Sequence, residues 1–198
     1  MTHSNLKQDV RKAAANIFAV LPYEKVSLSD IARGAGVSEE TARSAYSSVS
    51  AVARDILDVE GQTMRDAQAQ ARRTEDRPIE RLRCVVALVG SHIQTIPEVR
   101  AGLHLAARSS EHFPERHIDP RRTWRGFIEE QLQIAYQQGS VSTQIKVSRV
   151  ADLIFLALLG AKEIAEMTQD CDNISVKMST CLDSILEIIT DSGTNTTI

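Results

Sequence analysis

"SLSDIARGAGVSEETARSAYSS" (residues 27–48) sets two short helices on either side of a glycine-containing turn, each opened by a serine. Ser27 stands three residues before Asp30, the spacing of a capping box. In that motif the serine oxygen accepts from a backbone amide that the first helical turn leaves orphaned, and the carboxylate reaches back to the cap amide. Ile31 and Ala32 form the buried side of the first helix, Gly34 and Gly36 let the chain turn where a Cβ would clash, and Val37 plugs the corner. Ser38 caps the second helix, which runs to about Tyr46. This length and punctuation is that of a helix-turn-helix.

Working outward, Leu6, Val10, Ala14, Ile17, Phe18 and Leu21 recur at spacings of three and four, predicting an amphipathic helix over 5–21 that Pro22 ends. A long helix follows from about Ser50 until charge and Pro78 interrupt it. Pro78, Pro97 and Pro120 each stand where a first helical residue belongs. Between the last two, "SEHFPERHID" (110–119) reads as a loop. Asp119 caps and Gly139 closes the helix "DPRRTWRGFIEEQLQIAYQQG". The last two helices, roughly 148–168 and 174–191, carry apolar residues on more than one face, which predicts a homodimer built on them. Of 198 residues 42% are hydrophobic, enough for a real core, while aromatics are 4% and prolines five, so the chain is expected to be all-α.

Several function classes drop out. The longest apolar run, "VADLIFLALLGA" (150–161), is too short to span a bilayer, and "MTHSNLKQDVRK" lacks the apolar stretch of a secretion signal, so a cytoplasmic protein with no membrane partner is expected. Cys84, Cys171 and Cys181 are odd in number and form no CxxC, which argues against a disulfide framework or a zinc site. His3, His92, His104, His112 and His117 show no ligand spacing. With no GxSxG elbow, phosphate loop or distinctive carboxylate pair, neither an enzyme nor a bound cofactor or metal is expected. The net charge of −3 and pI of about 6.0 exclude a globally basic nucleic-acid coat but not a local basic patch. Residues 1–60 are themselves slightly acidic: Lys7, Arg11, Lys12, Lys25, Arg33, Arg43 and Arg54 face Asp9, Glu24, Asp30, Glu39, Glu40, Asp55, Asp58 and Glu60.

The order of small three-helix head, long connecting helix and helical body, together with "SLSDIARGAGVS", resembles the TetR family of one-component transcriptional repressors. The body resembles a narrower group, the γ-butyrolactone autoregulator receptors, through "PEVRAGLHLA", a loop, "DPRRTWRGFIEEQL", "QQGSV" and "SRVADLIFLALLGAKEI". The resemblance implies a DNA-binding domain over 1–50, a ligand-binding and dimerisation domain over 51–198, and a dimer on a palindromic double-stranded DNA operator that a small butyrolactone- or furan-type signal releases. Contacts to DNA then fall to Ser27, Ser38, Thr41, Arg43, Ser44, Tyr46 and Ser48. Ligand contacts fall to Gln62, Leu88, Trp124, Phe127, Ile128, Phe155 and Leu158, with Trp124 at the position of the group's pocket tryptophan. Read without the resemblance, Trp124 is first of all an ordinary core residue, Gln62 a solvated one, and Arg121, Arg122 and Arg125 a solvated helix face or an attractor for a carboxylated signal. The head also departs from the usual "GVSxGxxYxxFxxKxxL": Glu40 replaces the glycine, Arg43 the tyrosine, Tyr46 the phenylalanine and Val49 the lysine. The alternative reading is therefore a pseudo-receptor, a signal-binding or interaction module with weak or no DNA binding.

Overall fold

In a computed structural model of the chain, which describes residues 3–116 and 119–190, the described residues form ten helices and no strand. These are α1 (His3–Phe18), α2 (Leu28–Gly34), α3 (Glu39–Ala45), α4 (Val49–Thr74), α5 (Pro78–Thr95), α6 (Pro97–Ala107), α7 (Ser109–His112), α8 (Pro120–Gln137), α9 (Val147–Met167) and α10 (Ile174–Thr190). His117 and the side chains of His3 and Arg121 lie outside what is described. The expected all-α class and the three proline-opened helices stand.

Two local expectations change. α1 stops at Phe18, and the chain leaves it through Val20 N–H to Ile17 O and Leu21 N–H to Ile17 O, so Leu21 is exposed rather than part of the buried stripe. The stretch expected as a loop over 110–119 instead begins inside α7 and a 3₁₀ turn, Pro114–Arg116. Its cause is Phe113, which is 1% exposed and meets the ring of Tyr23 edge-on at 5.3 Å. A buried phenylalanine draws the backbone inward, where its amides must be bonded.

By packing, the chain divides into two units, Met1–Met64 with Thr95–Ile118, and Arg65–Gln94 with Asp119–Ile198. In the first, α1, α2 and α3 pack on one another and α6 packs along α1. The shared core runs through Val10, Ala14, Phe18, Ile31, Ala42, Val52, Ile56, Ala101 and Phe113. Where α6 meets α4 there is no room for a side chain: a Cβ on Gly102 would lie 2.3 Å from Glu60 Cβ. Of the two turn glycines, only Gly36 has a left-handed backbone, φ +67°. A Cβ at Gly34 would make ordinary contacts with Ile17 and Ala13, so the turn asks for glycine once, not twice.

A charged network fastens this unit. The Arg11 guanidinium on α1 reaches Asp55 on α4 at 3.4 Å and the buried Glu98 on α6 at 3.3 Å, and Lys7 lies 3.7 Å from Asp55. Tyr46, just beyond α3, donates its hydroxyl to Asp55. Burial opposes the Arg11 charge, but Glu98 and Asp55 outweigh it and hold its pKa above the ordinary value. Burial likewise opposes ionisation of Asp55, yet the Tyr46 hydroxyl, Lys7 and Arg11 together bring its carboxyl below the usual range. Burial, then the bond to Asp55, push the Tyr46 phenol upward.

In the second unit α9 packs on both α8 and α10. α5 is tied to α10 by Arg83, whose Nε donates to Asp183 at 2.7 Å, and by Ser175 Oγ to Ala87 O at 3.3 Å, a closeness that Gly90 permits. The three cysteines are free and half-buried. Among the described residues no helix is long and apolar enough to cross a membrane.

The network makes stability depend on acid in a stated direction. An aspartate whose folded pKa lies below its unfolded value of about 3.9 stabilises above that pH and loses the contribution as pH falls through the folded value. Asp55→Asn is therefore expected to be less stable than wild type at neutral pH by about 1–2 kcal/mol, a gap that narrows as pH falls through the folded pKa of Asp55, in urea unfolding. A gap that does not change with pH would show that Asp55 acts without its charge.

Candidate functional site

Three of the four serines expected at DNA, Ser27, Ser38 and Ser48, are helix caps. Ser27 Oγ accepts from the Asp30 amide at 3.1 Å while Asp30 takes the Ser27 amide at 3.1 Å, closing the capping box. Ser38 Oγ accepts from the Thr41 amide at 3.1 Å, and Ser48 Oγ from the Ala51 amide at 3.1 Å at the start of α4. Each cap leaves the remaining amides of a first helical turn pointing outward, the usual surroundings of a phosphate.

α3 is held by very little. Ala42 is its one buried residue, so Glu39, Glu40, Arg43 and Ser44 are exposed and Thr41 half-exposed. Thr41 Oγ1 lies 2.8 Å from Ser38 Oγ, and Ser44 donates its hydroxyl to Thr41 O at 2.7 Å. Tyr46 is not part of this outward set. It is 4% exposed and its hydroxyl is committed to Asp55, so it anchors the end of α3 to the core. Arg43 donates to Glu39 at 2.8 Å, the i,i+4 neighbour one turn back. Arg33 is paired with Asp30 at 2.8 Å and Arg54 with Glu115 at 2.7 Å. With Lys7 and Arg11 in the Asp55 network, five of the seven basic residues in 1–60 already face a carboxylate.

In the second unit Trp124, Phe127 and Ile128 share one side of α8, half-buried at the tryptophan and buried at the other two. α9, which packs on α8, carries Phe155, half-buried, and Leu158, buried. Leu88 is half-buried on α5. Gln62 is exposed on α4, in the first unit. Of the basic group around Trp124, Arg125 donates to Asp152, to Glu129 at 2.6 Å and to Ser148 Oγ at 2.7 Å. Its bond to Asp152, then that to Glu129, raise its pKa. Arg72 pairs with Glu130 at 2.7 Å and lies over the Phe127 ring at 4.9 Å. Arg122 is exposed.

Two features escaped the sequence reading. Gln131, one turn beyond Phe127, is 0% exposed, and neither its Nε2 nor its Oε1 has a hydrogen-bond partner. An unpaired buried amide costs about 1–3 kcal/mol. A glutamine in step with an apolar stripe was the available signal. The second is the meeting of Glu24, Glu111 and His112, whose ligand-type atoms all lie within 4.8 Å of one another, with His112 Nε2 2.9 Å from Glu24 and Arg108 4.0 Å from the same carboxylate. Glu24 and His112 are too far apart in sequence for any spacing to reveal this.

The outer face of the last two long helices is apolar. Leu153, Leu156, Leu159, Ile164 and Met167 of α9 and Val176 and Ile188 of α10 are all exposed.

No family model and no curated protein matches this sequence. Solved structures do match it over nearly its whole length. A γ-butyrolactone receptor described as ArpA-like superposes with a TM-score of 0.72 at 21% identity, covering 92% of this chain and 99% of that one. CprB of S. coelicolor A3(2), described as a TetR family protein, gives 0.71 at 24% identity over 85% and 87%. SmeT, the repressor of the Stenotrophomonas maltophilia multidrug efflux pump SmeDEF, in its complex with triclosan, gives 0.72 at 17% identity over 96% and 93%. The chain therefore has the TetR fold, an N-terminal helix-turn-helix followed by a helical body, in the form in which γ-butyrolactone receptors also carry it.

Proposed function

We propose that this protein is a ligand-responsive transcriptional regulator, acting as a repressor, that binds a palindromic operator as a homodimer and is released by a small γ-butyrolactone- or furan-type signal. The observation that carries the reading is α3: a capped seven-residue helix, held by Ala42 and by Tyr46 at its end, with every other side chain turned outward or half outward. A helix so presented has little purpose in the core and fits the major groove. Residues 1–50 read DNA in this account, and residues 51–198 bind the signal and dimerise. Thr41, Arg43 and Ser44 approach the bases and backbone, and the capped starts of α2, α3 and α4 at Ser27, Ser38 and Ser48 offer amides to phosphates.

The seven exposed apolar residues of α9 and α10 form the contact with a second copy, since an exposed apolar face of this size is costly in water. Trp124, Phe127, Ile128, Phe155 and Leu158 border the signal, with Leu88 and Gln62 as further contacts. A signal that binds better to the released state than to the DNA-bound one lowers operator affinity by that difference.

A second reading, that of a pseudo-receptor whose head binds DNA weakly or not at all, is favoured by the pairing of five head cations with carboxylates, Arg43 with Glu39 among them. Gel-shift titrations with the DNA upstream of its own coding sequence separate the two. At about 50 mM salt, where phosphate contacts are strongest, wild type is expected to retard that DNA, Arg43→Ala to weaken binding about tenfold, and Glu39→Gln to tighten it by freeing Arg43. The plot of log K against log salt should lose about 0.9 unit of slope in Arg43→Ala. No retardation by wild type or by Glu39→Gln supports the second reading and removes the first.

The signal site is read through the chain's single tryptophan. An alkyl γ-butyrolactone or furan of the right length is expected to quench or shift Trp124 fluorescence and to raise the melting temperature by several degrees at about 100 times Kd. An unchanged spectrum with no thermal stabilisation across such a series counts against the site.

A further inference from the structure

Glu24 sits in the 3₁₀ turn Tyr23–Lys25 that leads into α2, and Glu111 and His112 close α7. All three belong to the first unit, and the fold brings one ligand-type atom of each within 4.8 Å of the other two. Packing orients the histidine. Its ring lies 4.8 Å from that of Tyr23, while its neighbour Phe113, buried, meets the same tyrosine edge-on at 5.3 Å. His112 Nε2 is shut off from solvent and lies 2.9 Å from a Glu24 carboxylate oxygen, yet it makes no hydrogen bond. A plain ion pair would direct the Nε2 proton at that oxygen. Here the nitrogen is left without a partner, and a second carboxylate, Glu111, stands at the same point with no cation of its own among the described residues. The one basic side chain beside the group, Arg108, lies 4.0 Å from Glu24.

We propose that Glu24, Glu111 and His112 form a binding site for a divalent transition-metal ion of the zinc class. One imidazole nitrogen and two carboxylate oxygens are ligands that such an ion takes at about 2.0–2.2 Å, whereas magnesium and calcium prefer oxygen alone. Ligand atoms around a tetrahedral ion at that distance are about 3.4 Å apart, so a group already within 4.8 Å closes on it by small rotations of two exposed glutamates. Water fills the fourth position. The ion accepts the lone pair of the buried Nε2 and offsets two carboxylate charges that Arg108 alone does not balance. It also ties the turn before α2 to α7, so that metal held by the folded chain and not by the unfolded one stabilises the first unit. The site needs neither operator nor signal and is independent of the regulatory reading. Histidine spacing along the sequence does not reveal it, because it registers only ligands that are neighbours in the chain.

The test titrates cobalt(II) and, separately, zinc(II) into the full chain after treatment with a chelator. Wild type is expected to take up one equivalent of cobalt(II) with visible ligand-field bands and no thiolate charge-transfer band, since the three cysteines are not part of the site. Saturating zinc(II) is expected to raise its melting temperature by several degrees. Glu111→Gln and His112→Gln are each expected to weaken uptake at least about tenfold, because even the partners of metal ligands are worth 10–100-fold in affinity. Without metal, Glu111→Gln should melt with wild type, its position being exposed. Should His112→Gln fail to fold against Tyr23, Glu111→Gln decides the question. No uptake of either ion by wild type overturns the site. Uptake that Glu111→Gln retains in full, or a thiolate band, also overturns it and shows an adventitious ion at another histidine or at a cysteine.

Discussion

A single guanidinium, that of Arg11, joins three helices that are far apart in the chain. From α1 it reaches Asp55 on α4 and Glu98 on α6, and Asp55 in turn takes the hydroxyl of Tyr46 at the end of α3. The Glu98 carboxylate is buried and would be costly without this partner, since removing one member of a buried pair leaves an uncompensated charge. The rest of the first unit is arranged around this constraint. Gly102 lets α6 come against α4 at Glu60, and the apolar core from Val10 to Phe113 fills the space that the four carriers enclose. The three-helix head is thus built together with the first part of α4 and with α6.

Most of the fold was legible because it is written in local signals. Caps at Ser27 and Ser38, the left-handed turn at Gly36, and prolines at the starts of α5, α6 and α8 act over a few residues and need no tertiary partner. What was misread depended on long-range packing. Leu21 continues the apolar spacing of α1 but lies past its end, and Phe113 looks like a loop residue until Tyr23 is beside it. Gly34 carries the same letter as Gly36 with none of its backbone demand.

The candidate site was legible unevenly, and for a related reason. The outward residues of α3 follow from its length and its one buried alanine, so Thr41, Arg43 and Ser44 lie where the sequence suggests. Tyr46 does not, because its use is set by Asp55 nine residues on and by Arg11 from another helix. On α8 the stripe of Trp124, Phe127 and Ile128 was plain from spacing, whereas Gln131 stands out only by having no partner, a fact about surroundings and not about sequence. The TetR fold itself is matched at identities of 17–24%, where backbone arrangement persists after most side chains have changed.

α6 and the head are expected to form one cooperative body fastened by Arg11, so that whatever moves α6 moves α3 with it. Native-state hydrogen exchange on wild type and Arg11→Met measures this directly, because segments that open together share one free energy. Protection in α1, α2, α3, the first part of α4 and α6 is predicted to fall together, by about 3 kcal/mol or roughly a hundredfold, while α9 and α10 keep theirs. A variant in which α2 and α3 lose protection and α6 retains it would show two separate bodies and contradict the claim.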